Sequence, residues 1–562
     1  MSTAQKYPTT FYIGLIIWGL INLVQAYWTE LDPDEAYYWM YSKQLDWGYF
    51  DHPPALAVVI KAGYALFANE LGARLGFIVL QLASFVLLYD LAGRPKDKWD
   101  NLLLLAILAA MPLLQIYGFV ATPDGPLLFF AVLFLWLYQR FLQTNSWGIA
   151  TLLGITMAAM LYSKYHGVVL IFLVLLSNLK LIKNIKFYYA SIFGAMLFFP
   201  HLWWQYTNDF PSFRYHLSGR DDTYEIKYTT TYILNQLLIF SPLLFPMIVL
   251  ALRRTKVNTS LLRTFYFIIF GFWGFFFYTS FKGHVEPQWT ILLSIPFTLL
   301  LFWEAQQRPA FRKWLWRLSL TTIALLLVAR VFMAINPLGL KSNFHSSFWI
   351  GVLEEEAGGL PIVFQNSYRN ASKYTFYTGE QAYTVTDHAY RKNQFDLWAW
   401  EQAIEGDSVY LARVQDPFCS FCPLLETPRQ KFRPQIIDRF PVYSRVVIDY
   451  SLPATLFKAG AKLTLPLQLY NPYEHPISFF EGNAPLELHS LLYQEAEPAL
   501  DLRLALENPA MILPPKGQVE VTMQLSLPED LPKGTYQLAF GIALREMPPA
   551  FNSRIEDIQI ID

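Results

Sequence analysis

The chain has 562 residues, of which 54% are hydrophobic, 17% are aromatic and only 15% are charged. Soluble proteins average roughly 25% charged residues, so the composition excludes a protein that is water-soluble throughout, and it also excludes a disordered chain. The formal net charge of −1 gives no indication of nucleic-acid binding. Two cysteines are too few for a disulfide-rich scaffold. The class of protein that remains after these exclusions is a membrane protein.

The charged residues are unevenly distributed along the chain. Residues 343–562 hold 44 of the 87 charged side chains, although they make up the shorter part of the sequence. We therefore expect a membrane domain over 1–342 and a water-exposed remainder.

A membrane-spanning helix needs about 20 mostly apolar residues. Eleven segments meet or nearly meet this length, at about 11–28, 72–93, 101–119, 126–142, 148–162, 167–182, 187–204, 232–252, 264–281, 289–304 and 317–336. A further apolar segment, 54–68, contains Lys61 and predicts a helix lying at the membrane interface. The first span also resembles a signal peptide that ends at Val24-Gln25-Ala26, but only one positive charge precedes it and it is long, which favours a retained helix.

Lysine and arginine concentrate in alternate connections between these segments. They are Arg94, Lys96, Lys98, Arg140, Lys180, Lys183, Lys186, Arg253, Arg254, Lys256, Arg263, Arg308, Arg312, Lys313 and Arg317. The positive-inside rule places those connections and the N-terminus in the cytoplasm. The acidic connections then lie outside, and eleven spans put residues 343–562 outside as well. This topology predicts a multi-pass protein of the cytoplasmic membrane with a periplasmic C-terminal part.

The first outer loop combines acidic and aromatic residues. The residues of interest are Asp34, Glu35, Tyr37, Tyr49, Asp51 and His52. The Asp32-Pro33-Asp34-Glu35 string is itself a plausible helix start, with a capping acid followed by proline. Carboxylates beside aromatic rings are also typical of carbohydrate binding, and a carboxylate can take the proton from an attacking hydroxyl. The residues alone leave both interpretations open.

Other outer loops supply further candidates. Asp124 lies at a helix start and could be a cap, and Lys164 lies at the end of a span and could be a snorkelling lysine. Arg214, Arg220 and Glu286 lie in two later outer loops. Cations that converge from several loops would form a phosphate site. The spans carry few ionisable residues away from their ends, which argues against a transporter.

Several strings of residues resemble one family in order and spacing. They are Asp34-Glu35 followed by Tyr37-Tyr38, Gly48 to Pro54, Thr122 to Leu127, Ser163-Lys164-Tyr165, Pro200 to Arg220, and Val285-Glu286-Pro287 before Gln288-Trp289. Residues 1–340 thus resemble the dolichyl-phosphate-mannose protein mannosyltransferase superfamily of GT-C glycosyltransferases. The branch they resemble is the bacterial family-39 type, with the lipid A aminoarabinose transferase. Gln288 departs from the pattern, because many relatives have asparagine there.

The resemblance implies a glycosyltransferase that moves a hexosyl or pentosyl unit from a polyprenyl-phosphate donor to a hydroxyl of a lipid, protein or glycan acceptor, with inversion. It implies that Asp34 is the catalytic base and that Glu35 orients Asp34 or contacts the helix. The expected contacts of the donor phosphate are Lys164, Arg214, Arg220 and His52. The expected contacts of sugar or acceptor are Asp124, Tyr37, Tyr49, Asp51 and Glu286. No cofactor is required, and a divalent metal is left open. The alternatives are a flippase for lipid-linked glycans and a non-catalytic envelope scaffold.

The outer C-terminal part divides into two patterns. Residues 343–437 mix short apolar strands with a helix that ends at Gly379, which predicts a small α/β unit. Residues 438–562 alternate polar and apolar residues between turns, which predicts an immunoglobulin-like β-sandwich. This sandwich either packs over the site or binds the acceptor, or it only stabilises the protein. Cys419 and Cys422 lack a second pair of zinc ligands, so we expect a local disulfide.

Overall fold

A computed structural model describes residues 9–217, 223–414, 422–428, 430–494, 497–504, 510–545 and 547–561. The chain forms two compact units, which meet in sequence between His345 and Ser346. Each unit is described separately below.

The first unit is helical. Its helices are α1 (Thr9–Trp28), α2 (Pro33–Lys43), α3 (Ala55–Tyr64), α4 (Glu70–Leu91), α5 (Lys98–Ala109), α6 (Pro112–Ile116), α7 (Asp124–Thr144), α8 (Trp147–Ser163), α9 (Gly167–Ser177), α10 (Ile185–Thr207), α11 (Pro211–Leu217), α12 (Ile226–Ile239), α13 (Phe245–Arg254), α14 (Ser260–Thr279), α15 (Ser294–Gln307) and α16 (Pro309–Ile335). Within the described residues six helical segments are long and apolar enough to cross a membrane: α1, α4, α7, α14, α16 and the Pro287–Gln307 segment that ends in α15.

Three of the eleven predicted spans are broken in the structure. One of them, 167–182, is α-helical only to Ser177 and continues after Asn178 as a 3-10 helix over Leu179–Lys183. The other two divide into separate α-helices. The predicted span 101–119 divides into α5 and α6, and the predicted span 232–252 divides into α12 and α13. Proline occupies the first turn of the second helix in both cases, at Pro112 and Pro246. Because proline has no N–H to donate and clashes with the preceding turn, a helix restarts at it more readily than it continues through it.

The basic residues of the predicted cytoplasmic loops form ion pairs at the ends of these helices. Arg94 Nε lies 2.6 Å from Asp90 Oδ1, and Arg308 Nε lies 2.6 Å from Glu304 Oε1. The acids that end α4 and α15 are therefore paired with arginines that follow them by one turn.

Helices α8 and α10 approach each other at two glycines. A Cβ atom at Gly154 would lie 2.7 Å from the carbonyl oxygen of Ala190, and one at Gly194 would lie 2.8 Å from the carbonyl oxygen of Gly154. Small residues allow the backbones of apolar helices to come this close.

The second unit begins with an α/β part. It contains α17 (Ile350–Ala357), β1 (Ile362–Gln365), α18 (Tyr368–Thr378), β2 (Tyr383–Val385), α19 (Gln394–Leu397), β3 (Val409–Val414), β4 (Leu425–Thr427) and β5 (Gln430–Ile437). The strands form one sheet in the order β2-β1-β3-β5-β4, in which β1 is parallel to β2 and β3. Helix α18 ends at Gly379, whose φ of +81° is the left-handed cap predicted from the sequence.

A β-sandwich follows. Its strands are β6 (Val447–Tyr450), β7 (Leu456–Lys458), β8 (Lys462–Tyr470), β9 (Ile477–Ser478), β10 (Leu486–Gln494), β11 (Glu497–Leu504), β12 (Ile512–Leu513), β13 (Gln518–Ser526), β14 (Gly534–Leu544) and β15 (Glu556–Ile561). One sheet has the order β13-β8-β6 and the other the order β11-β10-β14-β15-β7, and their inner faces share a core. In immunoglobulin lettering β6, β8 and β13 are strands A, B and E, and β10, β14 and β15 are strands C, F and G. The predicted β-sandwich is confirmed, and its assignment as immunoglobulin-like stays a prediction.

The predicted cysteine pair lies only partly within the described residues. Cys422 is disulfide-bonded, whereas Cys419 lies outside them.

The glycine contact between α8 and α10 gives a test of helix packing. We expect Gly154→Ala to destabilise the protein by about 1–3 kcal/mol, because the new methyl group overlaps the Ala190 carbonyl. The measurement is thermal unfolding of the detergent-solubilised protein. Gly274→Ala in α14 is the control, since a Cβ there meets no atom within 4 Å. Equal midpoints for the two variants would contradict the close approach.

Candidate active site

The acidic string of the first loop does form a helix start. Asp32 caps α2: its Oδ1 accepts a hydrogen bond of 2.9 Å from Asp34 N, and Glu35 Oε2 accepts one of 3.0 Å from Asp32 N. Burial and the neighbouring carboxylates of Asp34 and Glu35 raise the pKa of Asp32. The cap engages the backbone N–H of Asp34 and leaves its half-buried carboxylate in the first turn of the helix.

Glu35 forms a buried ion pair with Arg74 of α4. Arg74 Nε donates to Glu35 Oε1 at 2.8 Å and Nη2 donates to Oε2 at 2.5 Å, and the two side chains are 0% and 1% exposed. The same guanidinium donates to the carbonyl oxygens that close α1 and lead into α2, those of Ala26, Thr29 and Glu30. The end of α1 and the start of α2 are therefore held by one arginine.

The segment before α7 is attached to this ion pair. Ala121 N donates to Glu35 Oε1 at 2.7 Å. The centroid of the Phe119 ring lies 5.6 Å from the guanidinium carbon of Arg74 and 5.1 Å from that of Arg330, so the ring contacts both cations.

Arg330 of α16 is an exception to the expectation that the spans carry few ionisable residues away from their ends. It is buried and donates to three amide oxygens: Asn22 Oδ1 at 2.8 Å, Gln115 Oε1 at 2.9 Å and Gln25 Oε1 at 3.3 Å. No carboxylate of the described residues pairs with it. Neutral amides from α1 and α6 therefore stabilise a charge within the helical bundle.

A second buried ion pair joins α7 to the end of α8. Lys164 Nζ lies 2.8 Å from Asp124 Oδ1 and 2.9 Å from Oδ2, and the side chains are 8% and 3% exposed. The sequence allowed a helix cap at Asp124 and a snorkelling lysine at Lys164, and both interpretations are wrong. The N-cap of α7 is Pro123, so Asp124 does not cap the helix, and Lys164 turns inward to a carboxylate instead of snorkelling to solvent.

Tyr117, which follows α6, is within electrostatic range of acids from several loops. It interacts electrostatically with Asp124, Glu286, Asp32 and Asp34. Asp124 in turn interacts with Glu286. These four carboxylates, from three predicted outer loops, form a group that we call the acidic cluster.

The predicted aromatic contacts are mostly internal to the first loop. Tyr37 and Tyr49 are 1% and 0% exposed. The Tyr49 ring stacks on Tyr41 at 4.2 Å, and the Tyr49 hydroxyl donates to the Tyr41 carbonyl oxygen at 3.0 Å. Asp51 is also buried and accepts a hydrogen bond of 3.4 Å from the Tyr41 hydroxyl. These side chains pack the loop and do not form an exposed platform.

The remaining candidate cations have other partners. His52 Nε2 lies 3.1 Å from the hydroxyl of Tyr38. Arg214 is 65% exposed and forms a bidentate ion pair with Asp209 at 2.5 and 2.6 Å. Arg220 lies outside the described residues. Among the residues that the structure describes, no group of three or more His, Cys, Asp or Glu side chains is arranged to hold a metal ion.

Sequence reasoning missed Arg74, Arg330 and Tyr117. An arginine inside an apolar span is a recognisable signal, because a charge at that depth needs a partner, and both arginines lie within predicted spans. Tyr117 has no comparable signal, since it is one tyrosine among 34.

Three comparisons place this fold among known proteins. Residues 51–204 match the family model described as dolichyl-phosphate-mannose-protein mannosyltransferase. The lipid A galacturonosyltransferase RgtD of Rhizobium johnstonii is 26% identical over 211 residues, which are 35% of this chain and 43% of RgtD, so the match spans less than half of that relative. ArnT from Cupriavidus metallidurans superposes in the apo state with a TM-score of 0.53 at 13% identity, covering 75% of this chain and 96% of ArnT. ArnT bound to undecaprenyl phosphate gives 0.54 at 14% identity, covering 75% and 97%.

These matches confirm the resemblance inferred from the motifs. The chain is a multi-pass membrane protein with the GT-C glycosyltransferase fold. Within that class its architecture is of the ArnT type, a helical membrane domain followed by a β-rich unit.

The ion pair of Glu35 and Arg74 gives a prediction about stability. Arg74→Met should lower the free energy of unfolding by about 3–5 kcal/mol, because it leaves Glu35 buried without a counter-charge. Adding Glu35→Gln should restore part of the loss, since a neutral amide is less costly to bury. Thermal unfolding in detergent measures both effects.

Lys227→Met is the matched control, because the Lys227 and Glu225 side chains are 63% and 50% exposed and their pair should contribute only about 0–1 kcal/mol. If Arg74→Met unfolds at the temperature of Lys227→Met, the ion pair of Glu35 and Arg74 does not hold the loop.

Proposed function

We propose that the protein is an inverting glycosyltransferase of the cytoplasmic membrane. It moves a hexosyl or pentosyl unit from a polyprenyl-phosphate donor to an acceptor hydroxyl at the outer face, with the N-terminus in the cytoplasm and the C-terminal unit in the periplasm. The observation that carries the proposal is the half-buried Asp34 carboxylate in the acidic cluster, in a helix turn held by the cap at Asp32 and by the ion pair of Glu35 and Arg74. The fold shared with ArnT, a protein solved with undecaprenyl phosphate, supports a polyprenyl-phosphate donor.

Asp34 is the residue to which we assign the role of general base. Among the acids of the first helix turn, Asp32 caps the helix and Glu35 is saturated by Arg74 and Ala121. We therefore assign the removal of a proton from an acceptor hydroxyl to the Asp34 carboxylate. The hydroxyl oxygen then attacks the anomeric carbon, the bond to the lipid phosphate breaks, and the configuration inverts. Glu35 positions Asp34 and does not touch substrate.

The leaving lipid phosphate needs positive charge as its bond to the sugar breaks. We assign this stabilisation to Lys164, His52, Arg214 and Arg220. Lys164 uses two contacts for Asp124, and its ammonium group has three N–H donors. Asp124 and Glu286 bind sugar or acceptor hydroxyls in this scheme, whereas Tyr37, Tyr49 and Asp51 maintain the shape of the loop. The scheme needs neither a cofactor nor a metal ion.

The base assignment predicts that Asp34→Asn lowers the turnover of sugar transfer by about 100- to 10,000-fold, because the amide cannot accept the proton. The measurement is transfer of a radiolabelled sugar from polyprenyl-phosphate donors to extracted envelope lipids by the purified protein. Glu70→Gln, an acid in the first turn of α4, serves as control and should retain wild-type turnover. Near wild-type turnover of Asp34→Asn would refute the assignment.

The phosphate role of Lys164 can be tested without a sugar. Removing the pair as Lys164→Met with Asp124→Asn leaves no buried charge unpaired, and we expect it to weaken binding of bare undecaprenyl phosphate about tenfold through the loss of a charge-assisted contact. Displacement of tritiated undecaprenyl phosphate measures this. Lys61→Met on the exposed face of α3 is the control. An unchanged dissociation constant would restrict Lys164 to pairing with Asp124.

A further inference from the structure

His201 of α10 has no role in the scheme above, although it contacts two segments that the scheme uses. It is fully buried, at 0% exposure. Its Nδ1 lies 2.7 Å from the Trp47 carbonyl oxygen in the first outer loop, and its Nε2 lies 2.8 Å from the hydroxyl of Tyr165. Tyr165 directly follows Lys164. One imidazole ring therefore connects the first loop to the segment that carries Lys164.

The two partners of this ring fix its tautomer. A carbonyl oxygen can only accept a hydrogen bond, so His201 Nδ1 carries a proton and donates to the Trp47 oxygen. The neutral ring then has a lone pair on Nε2, which accepts from the hydroxyl of Tyr165. The position thus requires a donor at one end of the side chain and an acceptor at the other, and neutral histidine supplies both.

A second set of hydrogen bonds leads from Tyr165 back to the first loop. Gln205 Nε2 lies 3.2 Å from the Tyr165 hydroxyl and 2.8 Å from Ser212 Oγ. Ser212 in turn donates to the Tyr49 carbonyl oxygen at 2.8 Å. Gln205 and Ser212 are buried like His201. Because a buried polar group that loses its partner is destabilising, this network holds the first loop at two backbone oxygens.

Both ends of the network lie beside residues that we assign to the donor phosphate. Tyr49 N donates to the His52 carbonyl oxygen at 3.1 Å, which closes the turn that carries His52. The ring of His216 lies 6.2 Å from that of His52 and 5.7 Å from that of Tyr165, measured between centroids. His52 and Tyr165 therefore both lie next to one histidine ring, and Lys164 immediately precedes Tyr165.

We propose that His201 is a positioning residue for the donor phosphate, which holds His52 of the first loop and Lys164 after α8 at a fixed separation. His201 does not touch the phosphate itself. Two side chains from separate segments bind one phosphate tightly only if their spacing is set before the phosphate arrives. The inference rests on the proposed function, because it takes Lys164 and His52 as contacts of a lipid phosphate.

The hydrogen bond between Tyr165 and His201 can be broken from either side. His201→Asn removes the Nε2 acceptor but keeps a donor for the Trp47 oxygen, and Tyr165→Phe removes the hydroxyl. We expect each variant to raise the dissociation constant of undecaprenyl phosphate about tenfold, as for loss of one buried hydrogen bond. The double variant should bind about as weakly as either single variant, since both changes remove the same bond. Displacement of tritiated undecaprenyl phosphate from the purified full-length protein measures all three.

Tyr162→Phe is the matched control. The Tyr162 hydroxyl also connects α8 to α10, because it donates to the Leu197 carbonyl oxygen at 2.9 Å, but it lies outside the network. We expect its removal to leave the dissociation constant unchanged. Thermal unfolding in detergent shows which variants are folded, and if His201→Asn is not, the conservative Tyr165→Phe decides the outcome.

The possible results separate the two proposals. Wild-type protein that fails to bind undecaprenyl phosphate overturns the proposed function. If wild type binds but the folded variants bind equally well and only unfold at lower temperature, the network stabilises the protein and His201 has no positioning role. Additive effects of the two changes, or an equal loss of binding in Tyr162→Phe, would also refute the inference.

Discussion

A guanidinium and a carboxylate that are both removed from water remain stable only where charge and hydrogen bonds match on each side. Arg74 and Glu35 meet this condition by drawing on backbone groups: Arg74 donates to the carbonyls that end α1, and Glu35 accepts from Asp32 and Ala121. The requirement to satisfy one buried ion pair therefore fixes three segments relative to one another. Asp34 lies between the groups so fixed, and its position follows from them.

The second ion pair holds α7 and the end of α8 together in the same way. Asp124 and Lys164 neutralise each other inside the bundle, so neither is a freely solvated charge. Together the two pairs give neighbouring acids different surroundings: Glu35 and Asp124 are paired with cations, and Asp34 and Glu286 lie within electrostatic range of Tyr117. Neighbouring acids in different environments can take different roles, one as a general base and the others as groups that position it.

Local and periodic features were predictable from the sequence. The cap at Asp32 is encoded within four residues, and the end of α18 is encoded by Gly379. Strand β8 alternates buried and exposed residues along its whole length, so its place in a two-sheet sandwich followed from its pattern. The resemblance to GT-C transferases could be recognised because its motifs recur in order along the first 340 residues.

Contacts between distant residues were not predictable. Glu35 and Arg74 are 39 positions apart and Asp124 and Lys164 are 40 apart, and no periodicity links them. The hydropathy of 101–119 suggested one helix, whereas Pro112 starts a second helix, α6, within it. The sequence likewise could not show that Tyr37 and Tyr49 are turned inward, because burial of an aromatic ring depends on which neighbours the loop supplies.

We propose that the hydrogen bonds of Arg74 position Asp34 for catalysis. The turnover of sugar transfer by Arg74→Lys tests this role most directly, in protein whose thermal unfolding shows that it is folded. Lysine keeps the positive charge beside Glu35 but cannot reproduce the planar guanidinium that reaches Glu35 and three carbonyl oxygens together. We expect turnover to fall about 100-fold, through misplacement of Asp34, while binding of bare undecaprenyl phosphate is retained. Wild-type turnover by the folded variant would contradict this positioning role.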